Sequence, residues 1–142
     1  MNLCRLMYSS YANPQLSYQD LKEILEKSQK NNQSDGITGL LCYGDAMFLQ
    51  ILEGDRRMVS QTYHRISHDS RHHTPILIEC VPIEERCFEI WSMQTVKLMD
   101  MKAEKIRNLI LKYSAATTFQ PQIMTPSQCL KFMQELNDLL RG

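Results

Sequence analysis

Gly36-Ile37-Thr38-Gly39-Leu40-Leu41-Cys42-Tyr43-Gly44-Asp45-Ala46-Met47-Phe48-Leu49-Gln50-Ile51-Leu52-Glu53-Gly54 reads as two apolar runs around a short turn. Gly44-Asp45 suits a tight hairpin, so Ile37–Tyr43 and Met47–Glu53 are predicted to be paired strands. Side chains alternate along a strand, placing Phe48, Gln50 and Leu52 on one face and Met47, Leu49 and Ile51 on the other. Both faces are apolar except at Gln50, so this strand is expected to be covered on both sides. A buried amide left unpaired costs about 1–3 kcal/mol. Gln50 therefore needs partners, the simplest being a neighbouring backbone group.

Upstream, Leu3 to Ser10 reads as a first strand with Cys4, Leu6 and Tyr8 on one face. Asn13-Pro14 marks a turn, and Ser17 with Asp20 resembles a capping box. The helix that follows carries Leu21, Ile24, Leu25 and Ser28 at near-helical spacing and closes at Asn31-Asn32. Downstream of the hairpin, Asp55 is the expected N-cap of a second helix. Its apolar stripe is Val59, Thr62, Tyr63 and Ile66, and it ends near Asp69 to His72. Pro75–Pro82 is a fourth strand, Glu84–Phe88 a polar connection, and Trp91–Leu98 a fifth strand. Two helices follow, at Ala103–Tyr113 and from Thr125 to Arg141, the latter with Pro126 at its first position and Gln128 completing a capping box.

The order β-α-β-β-α-β is ferredoxin-like and α+β, with an added fifth strand and a C-terminal helical tail. The expected division is residues 1–98 as one domain, with residues 99–142 as a helical extension packed on it. In this arrangement the first and third strands are expected side by side and parallel, which brings Tyr8 next to Gln50 on the helix-covered face. The tail residues Leu130, Phe132, Met133, Leu136 and Leu140 suit the sheet's other face or an oligomer contact.

Composition narrows the function classes. Sixteen Lys+Arg balance 16 Asp+Glu in 142 residues, and no basic patch stands out for nucleic acid. No apolar run reaches a membrane span and the N-terminus has no signal-peptide pattern, so a cytoplasmic protein is expected. Five cysteines at wide spacing, with no C-x-x-C, argue against a disulfide framework or a cysteine zinc site. His64 and His68 are spaced i,i+4 but lack the Glu of H-E-x-x-H, so a solvated helix face is the simpler reading and no metal is expected. There is no G-x-S-x-G, no Walker A loop and no G-x-G-x-x-G. An acylphosphatase-type hydrolase would use an Arg and an Asn; Arg5 and Asn31 are present, but no phosphate-cradling loop precedes the first helix. The chain is not expected to be an enzyme.

The polar residues at the helix ends admit two readings each. Asn31 and Asn32 cap a helix, or they offer paired donors and acceptors to a ring edge of mixed polarity. Arg65 and Asp69, at i,i+4, form a surface ion pair or grip a polar ligand tail.

The runs Arg5-Leu6-Met7-Tyr8-Ser9-Ser10, Asn31-Asn32, Gly36–Tyr43, Phe48–Gly54, Tyr63–Ile66, Asp69–His73 and Trp91-Ser92-Met93 together resemble the BLUF family, sensors of blue light using FAD. Within that family the chain is similar to the short cyanobacterial PixD-like type, with tail matches at Leu111–Ser114 and Gln128–Leu130. The resemblance implies FAD between the two helices, flanked by Ile24 and Ile66, with Ser28 beside the ring and Asn31 and Asn32 on its pyrimidine edge. It implies that Gln50 bridges Tyr8 and the flavin, that Arg65 and Asp69 touch the ribityl or phosphate part, and that Trp91 and Met93 relay the signal. It further implies a ring-like homo-oligomer, a response-regulator-like partner of PixE type and phototaxis-type signalling. The rival within flavoproteins is a redox protein, which would need room for a substrate and dark reduction by NAD(P)H.

Overall fold

The computed structural model describes residues 2–88 and 93–141. The chain runs β1 (Leu3–Ala12), α1 (Tyr18–Ser34), β2 (Thr38–Gly44), β3 (Met47–Asp55), α2 (Arg56–Ser67), β4 (His72–Pro82), β5 (Met93–Lys97), α3 (Ala103–Ser114) and α4 (Pro126–Arg141). This is the expected α+β, ferredoxin-like order with its fifth strand and tail. Trp91 lies outside the described residues.

Five strands form one sheet in the order β4-β1-β3-β2-β5. β3 is antiparallel to both β1 and β2, and β5 is parallel to β2. The expected parallel pairing of the first and third strands is therefore wrong. The crossover through α1 returns β2 in the direction of β1, and the hairpin then reverses β3 against both. The adjacency survives the reversal, since Tyr8 and Gln50 are directly opposed.

Local chemistry accounts for most element ends. The Ser17 hydroxyl accepts the Asp20 N–H at 3.0 Å while the Asp20 carboxylate accepts the Ser17 N–H at 3.1 Å. Thr125 and Gln128 repeat the same box at α4. α1 continues through Asn31-Asn32 to Ser34 and stops where Gly36 takes φ +70°. The hairpin turn is Asp45-Ala46 rather than Gly44-Asp45, with φ +48° and +60°, the left-handed pair of a type I′ turn. Asp55 sits at the N-cap of α2 without a side-chain cap bond, and the Arg56 N–H donates to the Asn2 carbonyl at 2.7 Å. α2 stops at Ser67, short of the expected Asp69–His72. His72 already belongs to β4, which starts before the expected Pro75.

Each face of the sheet carries a core. On one, α1 packs across β2 and β5 and α2 across β1 and β3, enclosing Tyr8, Leu21, Leu25, Leu41, Phe48, Leu52, Val59 and Met93. On the other, α3 and α4 cover Met7, Leu40, Leu49 and Ile51 with Leu109, Phe132, Met133 and Leu136. β3 is thus buried on both faces, as its alternation predicts. Among the described residues no helix is long and apolar enough to cross a membrane, and no group of His, Cys, Asp or Glu could hold a metal ion. Cys4, Cys42 and Cys129 are buried, Cys80 and Cys87 are exposed, and all five are free thiols.

Candidate functional site

Between α1 and α2, above the middle of the sheet, lies a cleft of about 100 Å³. Its floor is the Tyr8–Gln50 pair. The Tyr8 hydroxyl donates to Gln50 Oε1 at 2.5 Å, and Gln50 Nε2 donates to Ser28 Oγ at 3.3 Å. Tyr8 is only 3% exposed and Gln50 1%. Burial, with the neighbouring Tyr63 and Asp69, pushes the Tyr8 phenol far above its ordinary pKa, so it stays protonated and donates. A donating phenol requires the amide oxygen opposite it, which turns the Gln50 NH₂ toward α1. Gln50 is therefore satisfied by side chains of two other elements rather than by neighbouring backbone. The Tyr63 ring lies beside Tyr8 with centroids 5.3 Å apart.

The α1 wall presents Ile24, Ser28, Asn31 and Asn32 to the cleft. Asn32 Nδ2 donates to the Ser28 carbonyl at 2.7 Å and to Ser28 Oγ at 3.1 Å. Its Oδ1 is buried at the cleft without a partner among the described residues. The α2 wall presents Thr62, Arg65 and Ile66, and Thr62 Oγ1 is likewise buried and unpartnered among the described residues. Orphaned buried oxygens are costly, and a donor held in the cleft would satisfy these two.

At the rim, the structure separates Arg65 and Asp69, which do not pair with each other. Arg65 reaches Asp35 past the end of α1, at 3.5 Å. Asp69 is held by Arg71, with Nη2 2.6 Å from Oδ2, Nε 3.0 Å from Oδ1, and the Arg71 N–H on Oδ1 at 2.9 Å. These bonds bring the Asp69 carboxyl down to about 2 against the opposing effect of burial. With α2 ending at Ser67, Asp69 lies in the turn rather than on the Arg65 helical face. Both residues still line the cleft.

Sequence reasoning missed Lys27, Arg71 and His72, which also line it. Lys27 was legible, since it follows Ile24 by three and precedes Asn31 by four on one helical face. Arg71 and His72 were obscured by the displaced start of β4. His72 Nε2 lies 2.7 Å from the Ile66 carbonyl, which only accepts, so this nitrogen carries a proton; Nδ1 lies 2.8 Å from Ser10 Oγ. Met93 is fully buried in the helix-side core and pairs with Gly39 at the start of β5.

Comparison with known proteins now decides the family: the model for BLUF, sensors of blue-light using FAD, matches residues 3–94. The chain belongs to the BLUF family. FAD is accordingly its cofactor, and the mixed donors and orphaned acceptors of the cleft fit a flat heteroaromatic ring. BlsA in its photo-activated state superposes with a TM-score of 0.82 at 31% identity, covering 94% of each chain. BlrB, a BLUF protein in its dark state, gives 0.66 at 29% identity with 80% of each chain covered. The alpha subunit of a photoactivated adenylate cyclase of Euglena gracilis is 36% identical over 86 residues, 61% of this chain but 8% of that protein. Those cyclases are thus far longer multidomain relatives, of which this chain spans about a tenth or less.

Proposed function

We propose that this BLUF chain is a blue-light photoreceptor in which Tyr8 and Gln50 convert absorption into a hydrogen-bond change, with no reaction of its own catalysed. The observation that carries this reading is the buried Tyr8–Gln50 pair at the floor of the cleft, hydrogen-bonded onward to the half-buried Ser28. When bound, FAD would supply blue-light absorption and an oxidising excited state. Tyr8, whose phenol lies at the cleft floor, would give up an electron and its hydroxyl proton. Its hydroxyl proton faces Gln50 Oε1, and the return of electron and proton restores the phenol without net chemistry. Gln50 is left rotated or tautomerised, and its altered hydrogen bonding marks the lit state. Asn32 Oδ1 would accept from the pyrimidine edge, with Asn31 beside it. Ile24 and Ile66 flank the ring, Ser28 anchors Gln50, and Arg65 and Asp69 stand at the ribityl-phosphate end.

In this reading residues 1–98 bind flavin, and residues 99–142 form an extension on the same sheet. The change at Gln50 biases β5 and its Met93, with Trp91 as the companion relay, and so switches a protein–protein contact. The tail runs at Leu111–Ser114 and Gln128–Leu130 support the PixD-like type: a cytoplasmic ring-like homo-oligomer with a response-regulator-like, PixE-type partner in phototaxis-type signalling.

The test is the absorption spectrum of the purified protein in darkness, under blue light and during dark recovery. A yellow protein with a small reversible red shift and no bleaching is expected. A colourless protein, or a flavin bleached to its reduced form, removes the sensor reading.

A further inference from the structure

The connection from β4 to β5 must cross the sheet from one edge to the other, and its residues 83–88 are tied down along the way. The Ile83 N–H donates to the Leu3 carbonyl of β1 at 3.1 Å. The Cys87 and Phe88 N–H groups both donate to Glu53 Oε1 of β3, at 2.9 and 2.8 Å. Arg86 Nη1 donates to Thr38 Oγ1 at 2.8 Å and to the Glu53 carbonyl at 2.9 Å, and its Nη2 donates to the Gly36 carbonyl at 3.1 Å. Glu53 is fully buried, and Arg5 Nη1 of β1 lies 3.8 Å from its other oxygen. Arg5, Glu53 and Thr38 occupy one row across β1, β3 and β2.

This row is linked to the elements that carry Gln50 and Asn32. Glu53 follows Gln50 along β3. The Ile37 N–H, between the two residues Arg86 grips on that side, donates to the Asn32 carbonyl at 3.0 Å. Salt-bridge strength alone does not explain the arrangement. A buried carboxylate whose Oε2 has no hydrogen bond among the described residues is a poor stabiliser, and burial raises its pKa despite the two N–H bonds. Such a group specifies a position: it fixes where residues 86–88 lie, and hence where the chain starts into β5. Among the described residues β5 is a short parallel edge strand paired in the sheet with β2, the kind of element that opens locally.

We propose that Glu53 and Arg86 are positioning residues of the light response. They form a latch that registers residues 83–88, and with them β5, against the elements bearing Gln50 and Asn32, and its strength sets the balance between docked and released β5. The inference rests on the photoreceptor reading for its purpose, while the latch itself is testable in the dark.

The experiment is hydrogen exchange of the β5 amides Gln94–Lys97 in the full-length, flavin-loaded protein, dark and illuminated, for wild type, Arg86→Ala, Arg86→Lys and Thr38→Val. Absorption is recorded on the same samples. Arg86→Ala is expected to keep the dark spectrum and the red shift, to raise dark β5 exchange at least tenfold, and to shrink its light–dark difference. β4 exchange at Ile76–Val81 should stay unchanged. Arg86→Lys, which keeps the charge but not the fork, should restore part of the protection. Thr38→Val removes one bond from the latch, so it should raise β5 exchange about threefold even if Arg86→Ala does not fold. Unchanged β5 exchange in these variants, or equal acceleration in β4 and β5, overturns the latch. A wild type with no red shift sinks the photoreceptor reading instead, while the dark exchange comparison still decides the latch.

Discussion

Tyr8→Phe removes one oxygen and leaves the ring, its burial and its contact with Tyr63 in place. What is lost is the hydroxyl donated to Gln50 Oε1 at 2.5 Å, at a position 3% exposed where water does not reach. The orphaned amide oxygen costs about 1–3 kcal/mol. At about 2–4 °C per kcal/mol for a chain of this size, the melting temperature should fall by roughly 4–8 °C for a mid-range loss. Gln50 is then free to turn its amide, since only the weaker 3.3 Å bond to Ser28 Oγ still orients it. The assay is thermal unfolding with saturating FAD, paired with light-minus-dark absorption. A destabilised protein that still binds flavin and shows no normal red shift is expected. A variant as stable as wild type with an unaltered photocycle would refute both the energetic argument and the role of Tyr8.

Asn32→Ala deletes the buried Oδ1 that has no partner among the described residues. FAD affinity should fall about tenfold to a hundredfold, as for the loss of one good hydrogen bond, and a fluorescence titration showing unchanged affinity would contradict its role. Asp69 has a depressed carboxyl pKa of about 2, so its stabilisation is present above its ordinary 3.8 and is lost as pH falls toward 2. At full weight that depression is about 2.4 kcal/mol, and with the side chain 29% exposed about 1 kcal/mol is the reasonable share. Asp69→Asn should therefore cost about 1 kcal/mol at pH 7 and progressively less as pH falls through about 2, below which the denaturant midpoints of the two proteins should converge. Gly39→Ala would place a Cβ 1.9 Å from the Ile51 carbonyl oxygen at φ +149° and should abolish cooperative folding. Gly36→Ala, at φ +70° with nothing within 4 Å, should cost only about 1–2 kcal/mol; equal losses in urea unfolding would show that crowding at Gly39 is not what matters.

The residues themselves determined the hairpin, the double burial of β3 and both capping boxes. Each follows from periodicity or from hydrogen bonds closed within a few residues, which are properties of the local chain. Only the tertiary structure decided that β1 and β3 are antiparallel, because strand direction depends on the path of the crossover and the hairpin together. It alone assigned Arg65 to Asp35 and Asp69 to Arg71: an i,i+4 spacing is informative only while both residues share one helix, and α2 ends between them. It brought Arg71 and His72 to the cleft by starting β4 early. It also turned the polar stretch Glu84–Phe88 into a crossing segment held by Glu53 and Thr38. Charged side chains are long and their pairings weakly selective, so their partners are set by which elements meet in space, and that is decided by the packing of the apolar faces.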